Sequence, residues 1–297
     1  MISVVRYVFI HSAEVDALSL REQVSGQMKK IDRGVEYDFY AAKDAEDALR
    51  HVSLYCDLHP ELHTCFVSCG DDGLTSSVAA GLMGAGEGKT LAVFDPSGSN
   101  SLSKNYEGRD FGSIAKLLAG SDTGLDMIRV NNSYAVNACT FGLEDLEEGG
   151  NARLLHSMST VLRRSFRSVR IMADSTPLDT GAVLLFTVSN GKYSSGGRLC
   201  TPQAVNDDGM MDICVIRNMS PTRLMKLLPL LAQGRLAEDT SFSGDLILRK
   251  ARSLKIESPK DITISVDGAR LTDKEFNVRI IPSAVRMVVP EKSVEMP

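Results

Sequence analysis

The strongest constraint on the fold is a change of rhythm along the chain. Up to about residue 130, short apolar runs alternate with longer stretches of helical spacing. Val4–Ile10, Glu36–Tyr40, Cys65–Cys69, Leu91–Phe94 and Met127–Val130 read as strands. Glu14–Ile31, Asp44–Tyr55, Ser76–Leu82 and Phe111–Leu118 read as helices. In the first helix Leu18, Val24, Met28 and Ile31 are expected on one face, and in the second Ala45, Ala48, Leu49 and Val52. Alternating strands and helices require crossover connections, which predict a mostly parallel, doubly wound α/β sheet. The rest of the chain differs. After a helix over Ala152–Phe166 come closely spaced strands: Val183–Val188, Asp212–Ile216, Leu246–Leu248, Leu254–Ile256, Ile262–Val266, Asn277–Ile281 and Val285–Val289. Asn190-Gly191, Gly196-Gly197, Asp208-Gly209 and Asp267-Gly268 supply turns between them, and a single helix, Pro221–Ala232, interrupts. This pattern predicts a β-sandwich. The expected division is residues 1–130, an α/β domain, and 131–290, a β-sandwich domain. The last strand is free to return to the first domain, and 291–297 form a tail.

Composition excludes several classes. With 33 Lys and Arg against 38 Asp and Glu, the net charge of −5 argues against a nucleic-acid binder. No apolar run approaches the roughly 18–20 residues of a membrane-spanning helix. Arg6, His11, Glu14 and Asp16 break up any signal-peptide core, so a cytoplasmic chain is expected, with any membrane contact peripheral. The six cysteines form no C-x2-C pair and read as reduced core residues, and the five histidines read as surface groups rather than metal ligands.

Two motifs mislead. Gly84-Ala85-Gly86-Glu87-Gly88-Lys89-Thr90 resembles a P-loop, but Met83 replaces the first glycine and the segment follows a helix instead of opening one. Arg163, Arg164, Arg167 and Arg170 suggest a basic helical stripe, either solvated or facing anionic lipid headgroups.

Three segments carry chemistry. Gly70-Asp71-Asp72-Gly73-Leu74-Thr75 follows a buried strand and leads into a helix, where backbone amides can meet a phosphate and a carboxylate can hold Mg²⁺. Asp95-Pro96-Ser97-Gly98-Ser99-Asn100-Ser101 follows the next strand, so both loops lie at the crevice end of a parallel sheet. The third runs from Asn190-Gly191-Lys192-Tyr193-Ser194-Ser195-Gly196-Gly197 through Pro202 to Asp207-Asp208-Gly209-Met210-Met211-Asp212.

Together these resemble the diacylglycerol kinase and sphingosine kinase catalytic-domain family. The third segment is similar to N-G-x-Y-x-x-G-G, a proline, then D-D-G-x-x-D. Asp126 ahead of Val130-Asn131, Tyr134 to Asn137 with Phe141-Gly142, and Asp267-Gly268 continue the likeness over nearly the whole chain. The resemblance implies a nucleotide-binding domain, a lipid-binding β-sandwich and an active site between them. It also implies transfer of the γ-phosphoryl group of Mg-ATP to a diacylglycerol-like or sphingoid hydroxyl. It makes Asp72 the candidate catalytic acid. Gly70, Asp72, Gly73, Gly98, Ser99 and Asn100 are the candidate nucleotide cradle, and Asp72, Asp126, Asp208 and Asp212 the candidate metal ligands. Lipid at a membrane surface is the implied partner, and a homodimer through sheet edges is open.

The sequence departs from the family mainly on the nucleotide side. The family's G-G-D-G-T reads Gly70-Asp71-Asp72-Gly73-Leu74, the aspartate of its second loop is Ser101, and the glutamate of D-G-E is Ala269. Leu74 in place of the family's threonine removes a hydroxyl donor, worth about 1.5–3 kcal/mol when the acceptor is charged. Two main readings therefore stand: an active lipid kinase, or an impaired homologue acting as a lipid- or protein-binding module. A kinase of NAD is a minor third.

Overall fold

The computed structural model describes residues 5–13, 17–31, 34–142, 167–178, 180–194, 197–199, 201–233, 235–236 and 239–292. The expected helix 152–166, Arg163, Arg164, Ser195, Gly196, Cys200 and the end of the tail lie outside them. The chain forms two compact units, Met1–Leu125 with Ser283–Pro297, and Asp126–Pro282.

The first unit contains β1 (Arg6–Ser12), α1 (Ala17–Met28), β2 (Tyr37–Ala42), α2 (Ala45–Leu58), β3 (Thr64–Cys69), α3 (Asp72–Leu82), β4 (Lys89–Val93), α4 (Ser101–Lys104) and α5 (Ile114–Leu118). β1 pairs in parallel with β2 and β3, and β3 with β4. Met287, near the end of the last strand, pairs in parallel with Leu91 of β4. Alternate strand residues face opposite layers, as the period of two demands. Phe9, Val67 and Ala92 pack with Leu20, Val24 and Met28 of α1 and Ile114 and Leu117 of α5. On the other face, Tyr55 of α2 meets Phe66 edge-on at 5.4 Å, and Ser68 bonds Thr75 of α3 at 3.0 Å. The parallel, doubly wound α/β architecture is thus observed.

The second unit runs from within β5 (Ser121–Val130) through β6 (Ser133–Ala135), β7 (Ala138–Phe141), β8 (Arg167–Ser168), β9 (Arg170–Ala173), β10 (Thr176–Leu178), β11 (Ala182–Ser189), β12 (Tyr193–Ser194), β13 (Arg198–Leu199) and β14 (Met211–Arg217). It continues through α6 (Pro221–Ala232), β15 (Leu246–Ala251) and β16 (Ser253–Val266), and ends within β17 (Ala269–Val289). Pairing is antiparallel: β14 with β15 and β11, β11 with β7, β7 with β16, and β16 with β17 and β9. Ile128, Phe186, Val215, Ile264 and Phe276 share its sandwich core. Leu224, Leu227 and Leu231 of α6 cover Cys214 and Ile216 on the reverse of β14.

Several elements differ from the sequence reading. In α1 the buried stripe is Leu20, Val24 and Met28, four residues apart, while Leu18 is 75% exposed. Ala45 is exposed, and Cys56 completes the stripe of α2. α3 begins at Asp72 rather than Ser76, because Asp71 caps it by accepting the Leu74 amide at 2.8 Å. The pairs of strands expected over 254–266 and 277–289 are each one long strand. β16 is continuous, with a register shift between Glu257 and Ile262.

Gly81 is the tightest point between α2 and α3: a Cβ there would lie 2.6 Å from the Leu49 carbonyl oxygen and 2.8 Å from Val52 Cβ. Alanine is the better helix former by about 1 kcal/mol, but the clash is with backbone. Gly81→Ala is expected to lower stability by about 1–2 kcal/mol net, read as a lower urea midpoint at unchanged slope.

Candidate functional site

In the first unit, the loops after β3 and β4 are joined by an internal polar network. Asp95, at the end of β4, is its centre. One carboxylate oxygen accepts the Ser99 amide and the Ser97 hydroxyl, both at 3.0 Å. The other accepts the Asn100 amide at 3.0 Å and the Ser103 hydroxyl at 2.7 Å. Asp-Pro followed by Ser-Gly-Ser favours such a turn, and Gly98, at φ +66°, supplies its left-handed residue.

Asp72 is the link between the loops. It is buried, and its two oxygens accept the Ser101 amide and the Ser101 hydroxyl, each at 2.7 Å. Burial pushes its carboxyl above the usual range, the Ser101 bonds pull it back, and Asp71 adds to the rise. Asn100 completes the joint by donating to the Gly70 carbonyl at 3.1 Å and to Thr75 Oγ1 at 3.0 Å. Leu74 is buried against Gly70, where a Cβ would meet its Cδ2 at 2.7 Å. The cavity beside these loops, about 380 Å³, is lined by Asp71 and Asp95 and, among the described residues, by no basic side chain.

Gly70, Asp72, Gly73, Gly98, Ser99 and Asn100 thus lie on two adjoining loops. Yet the amides of Ser99, Asn100 and Ser101 already serve Asp95 and Asp72. Asp95 was not among the sequence candidates, although its Asp-Pro turn was the available signal.

The remaining candidates lie in the second unit. Asp126 is buried; its carboxylate accepts the Gly209 amide at 2.6 Å, and its carbonyl accepts Asn190 Nδ2 at 2.7 Å. The Asn190-Gly191 and Asp208-Gly209 turns are therefore gathered around the start of this unit. Asp267 accepts the amides of Val136, Asn137 and Ala138 at 2.8–3.0 Å, a structural use for the first residue of Asp-Gly-Ala. At the Asp208 and Asp212 pair, Lys250 Nζ lies 2.7 Å from Asp208 and 3.0 Å from Asp212. An ammonium from β15 therefore stands where a metal was expected. Burial raises the Asp212 carboxyl, and Lys250 opposes that rise. Among the described residues no cluster of three or more His, Cys, Asp or Glu could hold a metal ion.

The misleading motifs resolve differently: Arg167 and Arg170 lie in strands β8 and β9, not on a helix. Lys89 of the P-loop-like segment donates to the His59 and Leu62 carbonyls, at 2.6 and 2.5 Å, and so ties down the turn before β3. Cys56, Cys65, Cys69, Cys139 and Cys214 are buried, and no disulfide joins them among the described residues. Burial pushes the Cys65 and Cys139 thiols up to about 12, far from a reactive thiolate.

Comparison with known proteins agrees with this architecture. Residues 146–289 match the family described as the YegS C-terminal NAD kinase beta sandwich-like domain. A Xanthomonas axonopodis pv. citri protein named "Probable lipid kinase YegS-like" is 25% identical, over 95% of this chain and 94% of its own. A protein of the same name from Alcanivorax borkumensis is 23% identical over 95% of each. A crystal structure of a diacylglycerol kinase from Bacillus anthracis str. Sterne superposes with a TM-score of 0.70 over 96% of each chain, at 17% identity. These likenesses support one family, the lipid kinases of the diacylglycerol kinase and YegS type. No described helix is long and apolar enough to cross a membrane.

Two predictions follow from the geometry of this lipid-kinase fold. Folding raises the Asp72 value, so the native state keeps its proton to higher pH than the unfolded chain does. That contribution is fully favourable below the ordinary carboxylate value, about 4, and is lost as pH rises through the raised one. Urea melts from about pH 4 to 7 should show wild type losing stability relative to Asp72→Asn as pH rises. Lys250→Met should leave Asp208 and Asp212 facing each other without a counter-charge. Its melting temperature should then rise with millimolar Mg²⁺ or Ca²⁺, while wild type should not respond.

Proposed function

We propose that this chain is a lipid-binding homologue of the lipid kinases whose own nucleotide loops are closed, leaving ATP-dependent phosphotransfer weak or lost. One observation carries the reading: three consecutive amides, those of Ser99, Asn100 and Ser101, donate to Asp95 and Asp72. A phosphate competing for them displaces bonds to charged carboxylates, each worth about 1.5–3 kcal/mol. It also meets Asp71 and Asp95 with no cation among the described residues of the cavity wall. A carboxylate at about 5 Å from a phosphate charge costs roughly 3 kcal/mol at an effective dielectric near 20. Within the first unit, the residues present do not fit a magnesium–triphosphate complex. Leu74, Ser101 and Ala269, three of the departures from the family pattern, point the same way.

A second reading, ATP-dependent phosphorylation of a diacylglycerol-like or sphingoid hydroxyl, is favoured by Asp72. A buried carboxyl with a raised value at a helix N-terminus is the kind of group that accepts a proton from an alcohol.

Calorimetric titration of the folded protein with ATP and ADP, with and without Mg²⁺, separates the two. We expect no saturable binding below about millimolar nucleotide, the level that the lost interactions imply. Mg²⁺-dependent micromolar binding, followed by ATP-dependent labelling of a lipid that Asp72→Asn abolishes, would overturn the closed-loop reading.

A further inference from the structure

The second unit carries a groove of about 660 Å³ on the outer face of its sheet. Three strands supply most of it. Arg279 of β17 lies opposite Ser253 of β16, and Asn277 opposite Lys255; Lys255 lies opposite Met172 of β9 on its other side. Asn131, just past β5, donates its amide to the Asn277 carbonyl at 3.0 Å, which sets Arg129 on the strand beside Arg279. Core residues Ile128, Val130, Leu254 and Val278 alternate with these positions, so Arg129, Lys255 and Arg279 share the outward face.

The charge of this groove is opposite to that of the chain. Among the described residues its wall holds three cations and no carboxylate, in a protein of net charge −5. The acids nearest along the sheet, Glu257 and Glu275, are already used: Lys255 pairs with them at 2.8 and 3.3 Å, and Arg170 with Glu257 at 3.6 Å. Asp174, beside Ser253, accepts the Arg252 and Ser253 amides and the Ser253 hydroxyl. Arg129 and Arg279 form no ion pair among the described residues. Arg129 donates Nε to the Asn131 carbonyl at 2.8 Å and lies 6.0 Å from the Tyr134 ring, so the rest of its guanidinium is available. Like charges on neighbouring strands repel, and an anion between them converts that repulsion into attraction. A guanidinium fork matches a phosphate in geometry as well as in charge.

We propose that this groove is a binding site for a phosphate monoester, with Arg129 and Arg279 as its anchors. Asn132 and Ser175 also line the groove and suit a polar body attached to the phosphate. The shared chemistry admits a lipid headgroup ending in phosphate or a soluble phosphorylated metabolite. The site uses no residue of the loops after β3 and β4, so it stands whether or not the protein binds nucleotide.

The test is calorimetric titration of the full chain, in low salt and without nucleotide, with dihexanoyl phosphatidate, glycerol 3-phosphate and inorganic phosphate. Saturable binding of at least one is expected. Arg129→Gln and Arg279→Gln should each weaken it about tenfold to a hundredfold, and Lys274→Gln should leave it unchanged. Binding should weaken further as salt is added. Binding of dihexanoyl phosphatidate alone would assign a lipid headgroup, and equal binding of glycerol 3-phosphate a soluble ligand. Urea midpoints for each variant establish that it is folded; Arg279 is exposed, so its replacement leaves the core intact. Absence of saturable binding by all three up to about 10 mM, the millimolar limit of weak recognition, would overturn the proposal. So would folded arginine variants that bind as wild type does.

Discussion

A buried carboxylate at the carboxyl end of a parallel sheet must find donors, and the first unit is organised by how Asp95 and Asp72 find theirs. Asp95 draws in two amides and two hydroxyls from the eight residues that follow it. That wraps the loop after β4 around one side chain and delivers Ser101 to Asp72, 29 residues back in the chain. Burying either charge without such partners would cost several kcal/mol, so the two loops are coupled. Asn100 strengthens the coupling by bonding both the strand end at Gly70 and the helix at Thr75.

This coupling limits what the crevice can do. The crevice end of a parallel α/β sheet holds ligands because its loops offer unspent backbone donors. Here the loop after β4 spends its donors internally. Asp71 spends itself capping α3, and Leu74 fills the space over Gly70. A ligand at this position has to compete with the protein for its own amides. The fold of a lipid kinase is therefore compatible with a crevice that does not take up a nucleotide.

Much of the architecture was legible because it rests on local periodicity. The strands around Phe9, Phe66 and Leu91, and α6 with Pro221 in its first turn, follow from spacing and turn residues alone. Errors arose where a local rule had two solutions. The helical spacing of α1 allowed a stripe through Leu18 or through Leu20, and packing against Phe9 and Val67 selected Leu20. Asp71 could belong to a glycine turn or cap a helix, and capping moved the start of α3 by four residues. At the site, the spacing of Asp208 and Asp212 was visible as a metal pattern. The Lys250 that answers them is 42 residues from Asp208 in sequence, and only antiparallel pairing of β14 with β15 brings it there. Asp95 was readable as a turn residue, but its four donors depend on how the loop closes.

The carboxylates that marked this chain as a cation-using enzyme share one fate. Asp72 is answered by Ser101, Asp126 by Gly209, Asp208 and Asp212 by Lys250, and Asp267 by the amides of residues 136–138. Each arrangement offers its acid a fixed donor, and fixed donors compete directly with a divalent ion for the same oxygens. On the sandwich face, Arg129 and Arg279 form no ion pair among the described residues. A protein that answers its buried acids internally and leaves two guanidinium groups in an acid-free groove is better arranged to hold an anion than to hold a metal. Its recognition chemistry is then expected on the sandwich rather than in the crevice, and the lipid-kinase scaffold becomes the means of presenting it.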